Sequence, residues 1–118
     1  MKSKWAGRVL LLRAEGCVAN LNDAECLRGI LQSAAIQAGA TPLGEEVTHK
    51  FDPQGLSIVR LLSESHIAIH TVPEDNYAEV TIHTCGSRAN PANAVQFLVR
   101  ALGAANYEAL WLQDNPPG

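Results

Sequence analysis

Apolar residues recur along the chain with two different periods, and the changes of period divide it into elements. From Gly7 to Ala14 the run is rich in Val and Leu and stops before Gly16, which predicts a strand. Leu27, Ile30, Leu31, Ala34 and Ala38 then return at the three- and four-residue intervals of one helix face. Asn22 is placed to cap that helix, Glu25 completes a capping box, and Gly39 ends it. Val47 to Phe51, Leu56 to Ser63, His66 to Thr71 and Ala78 to Thr84 read as strands separated by Pro, Gly, Asn and Asp. A second helix begins at Asn90-Pro91, a cap followed by proline at the first helical position, and carries Val95, Leu98, Val99 and Leu102 up to Gly103. Tyr107 to Gln113 closes the order as a strand, and Asn115 to Gly118 reads as a linker-like tail. This succession predicts an α+β two-layer sandwich, a mostly antiparallel sheet with two helices on one face.

The period of two also sorts chemistry from core. Ile67 and Ile69 share one face of their strand while His66 and His70 share the other; Val80 and Ile82 oppose Thr81, His83 and Cys85 in the next. If Pro73 to Asn76 turns these strands into a hairpin, the apolar pairs meet the helices. The histidines, Cys85 and Ser65 are then expected to gather on the far face. Three readings of that cluster stay open on spacing alone. The histidines can be ordinary hydrogen-bonded strand residues with Cys85 a small core hydrophobe. His66, His70, His83 and Cys85 are acceptable zinc ligand types, although neither a metalloprotease helix motif nor paired cysteines accompany them. Ser65 or Cys85 can be a nucleophile activated by a histidine.

Composition narrows the class. The 118 residues suit one domain with a single core spanning 1–118. A formal charge of -3 leaves no broad basic surface, so no nucleic-acid partner is expected. The apolar run Val9 to Leu12 is too short for a signal peptide or a membrane span, so no membrane association is expected. Three cysteines without a CxxC pair point to reduced thiols and a cytoplasmic protein.

Several short stretches carry a family resemblance: Phe51-Asp52-Pro53-Gln54-Gly55, Ser63-Glu64-Ser65-His66-Ile67-Ala68-Ile69-His70-Thr71, Pro73-Glu74 and Thr84-Cys85-Gly86. Gly16-Cys17, Leu21-Asn22-Asp23, Gly39-Ala40-Thr41 and His49-Lys50 extend it, in order, over roughly Gly7 to Leu112. Together they resemble the small prokaryotic S-adenosylmethionine decarboxylase proenzymes. The resemblance implies that the chain cuts itself between Glu64 and Ser65 into residues 1–64 and 65–118. Ser65 would become a pyruvoyl group, the cofactor that condenses with the amine of an amino-acid-type substrate and accepts electrons when carbon dioxide leaves. Ser57 matches the serine that steadies the oxyanion during processing, and His70 the base that removes the Ser65 Cα proton. Cys85 matches the proton donor of turnover, a task suited to a thiol because free thiols are mostly protonated at neutral pH. Phe51 matches an aromatic that stacks on adenine, and Glu74 a carboxylate that binds ribose hydroxyls.

The family's cleaved halves stay associated and its protomers form a homodimer. Ser57, Val59, Leu61 and Ser63 alternate with Leu56, Ile58, Arg60 and Leu62, so both faces of that strand are largely apolar, as a covering partner protomer requires. Departures from the pattern concern the substrate. Val72 stands where a bulky aromatic is usual, Thr81 and His83 where an acid and an aromatic are usual, and Arg13 and Ala14 differ in the first strand. Some members of the family act on L-arginine or L-ornithine, which Asp52, Glu74 or Asp75 could receive. An uncleaved, non-catalytic paralogue is the third alternative.

Overall fold

The computed structural model describes residues 6–86 and 88–113; the tail Asn115 to Gly118 lies outside them. The elements follow the expected order: β1 (Gly7–Glu15), α1 (Ala24–Gln37), β2 (Pro42–Lys50), β3 (Leu56–Leu62), β4 (Ser65–Val72), β5 (Tyr77–Cys85), α2 (Val95–Leu102) and β6 (Asn106–Gln113). Their strands form one sheet in the order β2-β3-β4-β5-β1-β6, antiparallel throughout. Both helices cover one face, where Leu12, Ile58, Ile67, Ile69, Val80 and Ile82 are fully buried with Leu27, Leu98 and Leu102. Each such side chain contributes about 1.5–3 kcal/mol by leaving water. This is the predicted α+β two-layer sandwich.

Three local expectations need correction. The cap of α1 is Asp23, whose carboxylate accepts the Cys26 N–H at 3.1 Å. Asn22 instead uses its side-chain oxygen to hold the Gly55 N–H at 2.9 Å, tying the helix entry to the turn before β3. Secondly, β2 begins at Pro42, not Val47. Gly44 and the two glutamates after it look like a turn in sequence, yet the strand continues through an irregularity between Leu43 and Val47. There Arg60 donates to the Gly44 carbonyl at 2.8 Å and to Glu46 at 3.0 Å, while Arg28 pairs with Glu46 from α1. Thirdly, Asn90 caps a single 3-10 turn, Pro91–Ala94, before α2 proper starts at Val95. That helix ends as expected at Gly103, whose positive φ of 63° and close approach to Val18 leave no room for a Cβ.

Candidate active site

The uncovered face of the sheet carries three lines of side chains, each crossing all six strands in register. At one end run Leu43, Leu61, His66, His83, Val9 and Leu112; along the middle run Val47, Val59, Ala68, Thr81, Leu11 and Leu110. The other end carries His49, Ser57, His70, Glu79, Arg13 and Glu108. The middle line is almost wholly apolar and the third almost wholly polar.

Ser65 and Cys85 belong to the first end. Ser65 opens β4 directly after the tight turn from β3, opposite Leu62 on one side and Thr84 on the other. Its φ of 156° lies outside the range that residues with a side chain ordinarily adopt. The carbonyl of Glu64, the residue before it, accepts the backbone N–H of Cys85 at 2.7 Å. This donor could not be read from side-chain types, because it is a main-chain group aimed by the register of β4 on β5. Glu64 has its carboxylate fixed as well. The Thr41 N–H donates to it at 3.0 Å and holds its pKa below the usual carboxylate range, with the Ser63 hydroxyl and Arg88 acting in the same direction against partial desolvation. Ser63, Glu64, Cys85, Gly86 and Arg88 line a cavity of about 340 Å³ beside the Glu64–Ser65 bond. Thr84, fully buried opposite Ser65, has no hydrogen-bond partner for its hydroxyl among the described residues.

Ser57 and His70 belong to the other end, where Ser57 Oγ lies 2.7 Å from His70 Nδ1. Phe51 is half exposed beside them, its ring edge-on to His49 with centroids 4.6 Å apart. Val72 is half-buried at the end of β4, and Glu74 is exposed in the 3-10 turn that follows. A cleft of about 560 Å³ lined by Arg13, Tyr77, Glu79 and Glu108 continues this end of the face. There burial raises the pKa of Tyr77, as does its hydrogen bond to Glu79.

The expectation that both histidines, the thiol and the serine would lie together therefore fails for His70. His70 follows Ser65 by five residues on the same strand, a separation of about 16 Å at the rise of an extended chain. The period of two places residues on a face but says nothing of how far along it they sit. The zinc reading needs His66, His70, His83 and Cys85 around one point, and no three His, Cys, Asp or Glu residues converge in that way among the described residues. His66 and His83 do meet, ring centroids 5.4 Å apart and nearly perpendicular.

Comparison with known proteins gives the same answer at every level. Residues 8–113 match the family model described as S-adenosylmethionine decarboxylase. The S-adenosylmethionine decarboxylase proenzyme of Moorella thermoacetica is 45% identical over 104 residues, which cover 87% of this chain and 82% of that protein. The one from Prochlorococcus marinus is 44% identical over 99 residues, covering 84% of this chain and 78% of that protein. The crystal structure of the adenosylmethionine decarboxylase from Aquifex aeolicus superposes with a TM-score of 0.80 at 26% identity, over 98% of this chain and 100% of that one. The chain thus belongs to the S-adenosylmethionine decarboxylase family.

Proposed function

We propose that the chain is a self-processing decarboxylase of S-adenosylmethionine that makes its own pyruvoyl group from Ser65 and works in the cytoplasm, in the synthesis of polyamines. The observation that carries this reading is the hydrogen bond at 2.7 Å from the Cys85 N–H to the Glu64 carbonyl. It polarises the carbonyl that the Ser65 hydroxyl attacks and holds the oxyanion that results. Attack forms an ester between Ser65 Oγ and Glu64 and frees the Ser65 amine. Removal of the Ser65 Cα proton by His70 then expels the Glu64 carboxylate, and water displaces ammonia to leave the ketone.

Ser65 fits a pyruvoyl group: its unusual backbone loads the bond to be cut, and Cys85 and the 340 Å³ cavity adjoin that bond. The group supplies a carbonyl that draws electrons from the substrate Cα. Cys85 then returns a proton to that carbon, while Phe51 stacks on the adenine and Glu74 receives the ribose hydroxyls.

His70, about 16 Å along β4, and Ser57, its register partner on β3, cannot reach Ser65, so the reading requires a homodimer. Two copies laid face to face, about a two-fold axis along the middle line of side chains, bring the Ser65 end of each over the His70 end of the other. Val47, Leu61 and Leu112, exposed by 73%, 62% and 70%, would leave water there.

Intact mass of the purified protein should give two fragments meeting at Glu64 and Ser65, and carbon dioxide should be released from S-adenosylmethionine. Arginine and ornithine belong in the same assay because Val72 leaves one wall of the nucleoside site small. A single full-length chain, or release from arginine or ornithine alone, would overturn the proposal.

A further inference from the structure

Processing begins with a serine hydroxyl, a weak nucleophile until a base takes its proton. Ser65 Oγ lies 3.1 Å from Nδ1 of His66. Adjacent side chains on a regular strand point to opposite faces, so this contact depends on the departure of Ser65 from extended geometry. The His66 ring is half-buried and stands edge-on to His83, its register partner on β5. His83 in turn lies over Gly7, its ring filling the space that a Cβ there would occupy.

Resting on the self-processing reading above, we infer that His66 is the base of the first step, distinct from His70, with His83 as its positioning residue. The Ser65 hydroxyl proton passes to His66 Nδ1 as Oγ bonds to the Glu64 carbonyl carbon, and the oxyanion rests on the Cys85 N–H. As that intermediate collapses, the Glu64–Ser65 C–N bond breaks and His66 returns the proton to the Ser65 nitrogen. The products are the ester and a free amine, and no proton is gained or lost.

The test follows processing of the freshly synthesised full chain and adds hydroxylamine, which cleaves the ester but not the peptide bond. His66→Ala should slow processing by about 10²-fold or more and give no hydroxylamine fragment, the magnitude expected for loss of a positioned base. His70→Ala should instead accumulate an ester that hydroxylamine cuts. His66→Asn keeps a hydrogen-bond acceptor near the Nδ1 position without a base, and should remain slow. It carries the test if His66→Ala does not fold. His83→Phe, which preserves the ring contact, should process near the wild-type rate, and His83→Ala more slowly. Wild-type speed in His66→Asn, or a hydroxylamine-cleavable ester accumulating in His66→Ala, overturns the assignment. An uncleaved wild-type chain overturns self-processing with it, whereas wild-type cleavage beside an unchanged His66→Ala overturns the His66 role alone.

Discussion

Two inactive chains should repair one another. Give one copy Ser65→Ala and the other His70→Ala. The distance that decides the outcome is the one along β4, about 16 Å between the two positions against the roughly 3 Å over which a proton is handed on. No rotamer of His70 closes that gap within a protomer, so under the self-processing proposal its target is the Ser65 of a partner. Coexpressed in equal amounts and paired at random, half of the dimers are mixed. Each mixed dimer has one site with Ser65 from the His70→Ala chain and His70 from the Ser65→Ala chain, and one site lacking both. About one quarter of all chains should then become pyruvoyl-capped fragments starting at position 65, and none when either variant is expressed alone. The readout is mass spectrometry of that fragment, which is lighter by one ammonia than the serine-ended fragment of simple ester hydrolysis. Mixed dimers isolated through two different tags and still free of the pyruvoyl fragment would show that His70 does not act across the interface.

Other consequences can be checked with simpler means. Cys85→Ala keeps the main-chain N–H on the Glu64 carbonyl and should still be cleaved, yet its decarboxylation rate should fall by about 10²–10⁴-fold. Equal losses of cleavage and turnover would contradict that separation. Ile69→Ala empties a fully buried position between sheet and helices and should cost about 2–5 kcal/mol in urea unfolding, measured in a Ser65→Ala background so that the chain is uncut. For Glu64, a carboxyl titration by NMR in the same background should give a midpoint below that of an ordinary glutamate, because the folded chain favours its charged form through Thr41. The associated stabilisation is full above the unfolded value and is lost as pH falls through the lowered folded one. A midpoint at or above the ordinary value would remove the basis for this pH dependence.

The sheet, its uncovered face and both helices were legible because each rests on a period: Ile67, Ile69, Val80 and Ile82 alternate, and Leu27, Leu31 and Ala34 recur by turns. What escaped the sequence depends on tertiary partners. Asn22 and Asp23 are equally good caps by type, and the choice falls to Asp23 because Gly55 takes the Asn22 side chain. The start of β2 is held by Arg60 and Arg28, residues far along the chain from Glu46. The candidate site was legible as a set of residues but not as two separated groups. That division follows from strand length and register, which the motif Ser65 to His70 conceals by writing both groups in six consecutive letters. The Cys85 N–H was hidden for a simpler reason, since every residue but proline has one.

The order β2-β3-β4-β5-β1-β6 has a further consequence if the Glu64–Ser65 bond is cut as proposed. Strands β1, β2 and β3 stay with the first fragment while β4, β5 and β6 go to the second, so the two interleave along three seams: β3 on β4, β5 on β1 and β1 on β6. Neither fragment can leave without opening the sheet. Unfolding, however, would separate them for good, because reassembly would become a bimolecular search through strands that a single chain once kept in order. The mature enzyme would therefore persist by the slowness of its unfolding, having folded only once, as its own precursor.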